Sequence, residues 1–301
     1  MNRATISNNC FRINSNTSKE NTIITNGYVV SNETIRINFY IVSNASGNLL
    51  WYPVTGAPSS DITHVYSISA SVGVVTMGGN VYRINITGTA PNYSGTFSQL
   101  TTGTNYYSQL SENGSNLFAL NASSSPQVAT FSTSSLGTPS VNSSSSLSGD
   151  GTVKDIAALS GTNYIVVGDL GTIRKYSGTW NTSLLSTKPN NLNKIKALGG
   201  TSEIWIAAGD GNLYKSLDDA ATFSMIPTGS VSELTSLDIS SSGQGLSAGY
   251  TSNLLLINSG VITQVNCGSA VLINDVISTG SGAGYLITSS KTIPLLYTNN
   301  S

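Results

Sequence analysis

Four segments of this chain line up one beneath the other. "VKDIAALSGTNYIVVGDLGTIRKYSG" begins at Val153, "LNKIKALGGTSEIWIAAGDGNLYKSL" at Leu192, "LTSLDISSSGQGLSAGYTSNLLLINSG" at Leu234 and "INDVISTGSGAGYLITSSKTIPLLYTN" at Ile273. Each reads as a strand, a polar Gly/Ser turn, an apolar strand, a Gly-rich turn, a third strand and a looser fourth segment. The period is about 40 residues, and a chain with such a period stacks its units, because one unit alone cannot bury its apolar faces.

Short, evenly spaced strands with a glycine signature per unit mark an all-β fold, the β-propeller, in which about 40 residues build one four-stranded blade. The first half keeps the step. "THVYSISASVGVVTMGGNVYRINITG" begins at Thr63, "TNYYSQLSENGSNLFALNASSSP" at Thr104, and a weaker unit, "NTIITNGYVVSNETIRINFYIVSN", near Asn21. Starts near residues 21, 63, 104, 153, 192, 234 and 273 predict a single propeller of seven blades over residues 1–301. The last unit has room for three strands, and residues 1–20 hold one spare strand, "CFRIN". Joining the two would close the ring and remove its exposed edges. The Ser-rich stretch 132–151 admits another division: a separate β domain over 1–131, a linker, and propeller-like repeats over 152–301. No segment sustains a 3.6-residue period with caps, so little helix is expected.

Within "EIWIAAGDGNLYKS", alternation places Ile204, Ile206 and Ala208 on one strand face and Trp205 and Ala207 on the other. Both faces are apolar, as expected for a blade buried between two neighbours. The second strands end in small residues ("YIVVGD", "IWIAAGD", "GLSAGY"). We read these as the places where neighbouring blades approach one another at a central channel.

Charge excludes several function classes. Only 9% of the 301 residues are charged, against roughly 25% in ordinary globular proteins. Ser, Thr and Asn fill more than a third of the chain instead. The net charge is −1 with 13 Lys plus Arg, which argues against nucleic acid, whose phosphates demand clustered cations. The densest basic run, Lys194 and Lys196 beside Lys188, reads as a solvated strand edge. No window offers about 18 uninterrupted apolar residues, so no membrane insertion is expected. "MNRATISNNCFRIN" shows no apolar core of a signal peptide. A surface dressed in hydroxyls and amides points to an extracellular, cell-surface or virion setting. Cys10 and Cys267 sit in no CxxC pair and read as buried free thiols or one mutual disulfide.

"SLDDAATF", residues 216–223, resembles the Asp-box of neuraminidase-type repeats, Ser-x-Asp-x-Gly-x-Thr-Trp. Ser216, Asp218, Thr222 and Phe223 fit it, while Ala220 and Phe223 stand where the pattern has Gly and Trp. The upstream "GDGNLYKS" is similar to the preceding strand of photosystem II assembly factor-type propellers, and "GDLGTIRKYSGTW" at 168–180 is a second, degenerate copy without the box aspartate. The resemblance spans about residues 150–260. It implies a hairpin turn on the outer part of a blade, remote from any active site, with the aspartate accepting backbone N–H groups and the aromatic packed between strands. The residue chemistry agrees, since Asp and Ser satisfy turn backbone well.

Three functions follow from three readings. The leading one is a non-catalytic structural or protein-interaction propeller of an exposed assembly, with protein partners or self-assembly. The second is a glycan-binding module whose aromatic platform would use Trp51, Tyr52, Tyr106 and Tyr107. The third is a sialidase-like hydrolase, because Phe11-Arg12-Ile13-Asn14 resembles the Phe-Arg-Ile-Pro of that family, with Arg36, Arg83 and Arg174 the only later arginines. No catalytic, cofactor or metal site is assigned. His64 is the single histidine, and Asp218-Asp219 is followed by no EF-hand spacing.

Overall fold

The computed structural model describes residues 22–23, 40–43, 50–55, 62–69, 71–89, 92–101, 106–122, 126–143, 151–181, 191–230, 232–250, 253–266, 273–278, 284–288 and 295–298. Every named element among them is a strand. The first sheet runs through Thr22–Ile23 (β1), Tyr40–Ser43 (β2), Leu50–Thr55 (β3), Ile62–Ser69 (β4), Val72–Met77 (β5), Asn80–Thr89 (β6) and Asn92–Gln99 (β7). The second holds Tyr107–Glu112 (β8), Asn116–Asn121 (β9), Gln127–Ser132 (β10) and Ser140–Ser143 (β11), and the third Val153–Ala158 (β12), Tyr164–Gly168 (β13) and Ile173–Tyr176 (β14). Leu192–Ala197 (β15), Ile204–Ala208 (β16), Leu213–Ser216 (β17) and Ser224–Ile226 (β18) make the fourth. The fifth is Leu234–Ile239 (β19), Gln244–Gly249 (β20), Asn253–Asn258 (β21) and Val261–Asn266 (β22). Ile273–Ser278 (β23), Gly284–Thr288 (β24) and Leu295–Thr298 (β25) form the sixth.

From β4 onward each sheet is an antiparallel meander in chain order. The unit expected near residue 21 differs. Its described strands form no sheet of their own; β3 pairs in parallel with β7, at Val54↔Tyr93 and Thr55↔Ser94, and extends the outer edge of the β4–β7 meander. An open strand edge is a template for pairing, and here the preceding hairpin takes it. The closing strand expected in residues 1–20 lies outside the described residues.

Period-two alternation explains how the sheets stack. Along β13, Ile165 and Val167 point into the core shared with the fourth sheet, while Tyr164 and Val166 point into the core shared with the second. Along β16, Ile204, Ile206 and Ala208 join the core facing the third sheet, and Trp205 and Ala207 the core facing the fifth. Further cores lie between the first and second sheets and between the fifth and sixth. Side chains alternating across a strand thus serve two interfaces, so these strands carry apolar residues at every position. The sheet before the Ser-rich stretch packs directly on the sheet after it, through Phe118, Leu120 and Val128 against Ile156, Tyr164 and Val166.

One irregularity recurs in every sheet. The first strand of each meander carries a register shift near its start, between Ile62 and His64, Tyr107 and Gln109, Val153 and Asp155, Leu192 and Lys194, Leu234 and Ser236, and Ile273 and Asp275. A bulge re-aims the following side chains and sharpens local twist. It also corrects the reading of the small residues. Gly168 and Gly249 face the bulge of their own sheet: a β-carbon at Gly168 would collide with Thr152 O, and one at Gly249 with Glu233 O. At these two glycines the close approach lies within a blade.

Candidate functional site where the first strands converge

The bulges set one residue of each first strand in a common position: His64, Gln109, Asp155, Lys194, Ser236 and Asp275. The first strands converge there. Lys194 Nζ, on the fourth sheet, donates to Gln109 Oε1 of the second at 3.4 Å, reaching past the third. The same ammonium stands 3.7 Å from Asp155 Oδ1 of the third sheet. Two positions further along, Lys196 Nζ pairs with Asp238 Oδ1 of the fifth sheet at 2.8 Å.

Burial governs the electrostatics. Desolvation raises the Asp155 carboxyl above the usual carboxylate range, against the lowering pull of Lys194 and of the Ile195 N–H. Asp275 is raised for the same reason, with Lys194 opposing. Burial works to lower the Lys194 ammonium, but the carboxylates of Asp155, Asp275 and Asp238 outweigh it, and its pKa stands above that of an ordinary lysine. The sequence reading of Lys194 and Lys196 as a solvated edge is therefore corrected for Lys194, whose partner Asp155 is buried. The signal was present in the aligned repeats: Asp155, Lys194, Ser236 and Asp275 all stand third in their units. Among the described residues no three His, Cys, Asp or Glu side chains gather as a metal site.

The convergence also completes the backbone. A sheet's first strand has one edge without a neighbour in its own sheet, and its N–H groups need acceptors. The preceding sheet supplies them. Ser111 Oγ accepts from Ala158 N at 2.8 Å, Asp155 Oδ2 from Ile195 N at 2.9 Å, and Asp238 Oδ2 from Ser278 N at 2.8 Å. In each case a side chain of one first strand caps an amide of the next.

At the end where the first strands begin, polar contacts cross from sheet to sheet. Asp169 Oδ1 pairs with Lys154 Nζ at 2.6 Å, Lys154 Nζ donates to Asn193 Oδ1 at 3.0 Å, and Asn193 Nδ2 donates to Glu233 Oε1 at 2.9 Å. Backbone bonds tie the turns after the second strands to the same end: Asp169 N to Thr152 O, Gly209 N to Asn191 O and Tyr250 N to Glu233 O.

The residues singled out in the sequence are distributed as follows. In the turn 216–223, Ser216 Oγ donates to Asp218 Oδ1 at 2.8 Å and accepts from Ala220 N at 3.0 Å. Asp218 Oδ1 accepts from Thr222 N at 2.9 Å and Oδ2 from Thr222 Oγ1 at 2.6 Å. These bonds, led by that of the Thr222 hydroxyl, hold the Asp218 carboxyl down at about 2. Asp219 and Ala220 lie at φ 58° and 69°, the left-handed region that suits the glycine of the box pattern. Phe223 packs against the core of the third and fourth sheets. Two of the four aromatic candidates have different surroundings. Tyr107 is 2% exposed in the core of the first two sheets, whereas its neighbour Tyr106 is 71% exposed beside Gly79. Trp51 and Tyr52 belong to β3, paired with Val42 and Ile41 of β2. Arg83 Nε donates to Asn85 Oδ1 and Arg174 Nη1 to the Asn181 carbonyl, in two different sheets. Arg12, Arg36, Cys10 and Cys267 lie outside the described residues.

No family model matches this chain, and no curated protein does. Among solved structures it is similar to the extracellular domain of the one-component system BT4673 from B. thetaiotaomicron, at 13% identity and a TM-score of 0.60, covering 94% of this chain and 41% of that one. It is also similar to the WD40 repeats of RRP9, at 9% identity and a TM-score of 0.59 over 82% of each chain. A further match is U3-55K, at 9% identity and a TM-score of 0.58 over 82% of this chain and 83% of that one. The chain thus spans about two fifths of the first of these. Likeness at such identities shows the fold alone, and the fold is a β-propeller.

Proposed function

We propose that this propeller is a non-catalytic protein-interaction module of an exposed assembly: a virion, an extracellular appendage or a cell surface. The observation that carries this reading is the use to which the converging polar groups are put. Lys194 pairs with Asp155, Asp155 caps Ile195 and Asp238 caps Ser278, so these groups hold neighbouring sheets together, which leaves the turns at the end where the first strands begin, with exposed Tyr106, Leu170 and Tyr250, as the surface offered to a partner. The low charge supports close packing of subunits, where like-charge repulsion would be costly. Among the described residues no helix is long and apolar enough to cross a membrane.

The test is the mass of the native particle from which the chain is isolated, set beside that of the purified 31.3 kDa chain. Stoichiometric incorporation in a larger complex is expected. A monomer in both settings would refute the assembly reading and direct attention to glycan screening.

A further inference from the structure

Resting on the interaction reading above, we propose that a strip from Leu170 to Tyr250, across the third, fourth and fifth blades, is the partner-binding surface, and that it takes a lysine or arginine side chain flanked by apolar residues. The strip is continuous. Asp169, next to Leu170, bridges to Asn191; Asn191 O accepts from Gly209 N, and Glu233 O from Tyr250 N. A β-carbon on Gly209 would stand 3.5 Å from Glu233 Oε1, so the Glu233 carboxylate lies beside the turn that carries Asp210. The order along the surface is therefore Leu170, Asp210 with Glu233, then Tyr250.

Its two ends are apolar and open: Leu170 is 60% exposed and Tyr250 48%. Its middle is negative. The one described ammonium at this end, Lys154, is engaged by Asp169 and Asn193. Asp210 and Glu233 are bonded to neutral groups, the Tyr214 hydroxyl at 2.8 Å and the Asn193 amide at 2.9 Å. In a chain with so few charges, two carboxylates without a described cation, set between two exposed apolar side chains, select a cationic partner by charge complementarity. The Tyr250 ring adds a face on which a guanidinium or ammonium can rest.

The experiment is display of random peptides against the full chain, wild type and Asp210→Asn/Glu233→Gln in parallel, with thermal unfolding to confirm equal folding. The double substitution keeps an acceptor for Tyr214 and Asn193 and removes only charge. Enriched peptides are expected to carry Lys or Arg with apolar neighbours, to bind at least about tenfold more weakly to the double variant and to Tyr250→Ala, and to weaken as salt rises. Enriched peptides without a cation, or binding untouched by the double variant, would overturn the strip while leaving the interaction reading in place. No enrichment at all would overturn both.

Discussion

Lys194 shows how much one side chain can carry in a repeat protein. It issues from the fourth sheet and touches the second and third, while two further carboxylates on the fifth and sixth act on its charge. Removing one partner of a buried pair leaves the other charge uncompensated, which typically costs about 3–5 kcal/mol. Lys194→Met is therefore expected to destabilise the fold on that scale at neutral pH. The deficit should shrink as pH falls, because Asp155 and Asp275 can then take up protons and no longer need the ammonium. Chemical unfolding of both proteins at pH 7.5 and pH 5 tests this: a deficit that does not change with pH would mean that lost packing, not charge, is responsible.

At the scale of the strand, the bulge that opens each meander sets the sequence requirements around it. Gly249 lies against Glu233 O, with no room for a β-carbon. Gly249→Ala should cost about 1–3 kcal/mol, the usual range for overpacking, and a thermal midpoint within error of wild type would show that the bulge relaxes freely. The equivalent residue of the fourth sheet is already alanine, Ala208 opposite Leu192, so the constraint belongs to particular blades. This is also the scale at which the sequence was most legible. The alternation of Ile204 and Trp205 foretold which residues share a face, because strand periodicity survives any packing detail. The first strands of the four later sheets begin where the repeats begin, at Val153, Leu192, Leu234 and Ile273. The repeats set Asp155, Lys194, Ser236 and Asp275 at one common position, but not what their side chains would meet there. A lysine in a strand looks the same in sequence whether it meets water or, as Lys194 does, an aspartate 39 residues earlier, and only convergence of separate strands decides between them. Tyr106 and Tyr107 likewise read as a pair, although Tyr106 stands just before β8 and is exposed, whereas Tyr107, the first residue of β8, is buried.

For the molecule as a whole, the titrating groups pull in opposite directions. Asp155 and Asp275 are raised in the fold, so the stability they contribute is complete below the ordinary aspartate value of 3.8 and is lost as pH rises through their folded values. Asp218, held at about 2, contributes above the ordinary value and loses that contribution as pH falls toward 2. Lys194, raised, gives way only in alkali. Stability should accordingly rise from pH 7.5 toward mild acid and fall again below about pH 4. A set of unfolding curves at constant ionic strength checks this, and a steady decline from neutrality downward would refute it.

The caps between first strands have a direction. Ser111, Asp155 and Asp238 each serve an amide of the sheet that follows them in the chain. Shortening the array from its C-terminal side at one of these junctions frees a side-chain oxygen, which water solvates readily. Shortening it from the N-terminal side strips an acceptor from the backbone of the blade that remains. The row of sheets therefore has a leading and a trailing end, and it tolerates trimming unequally at the two.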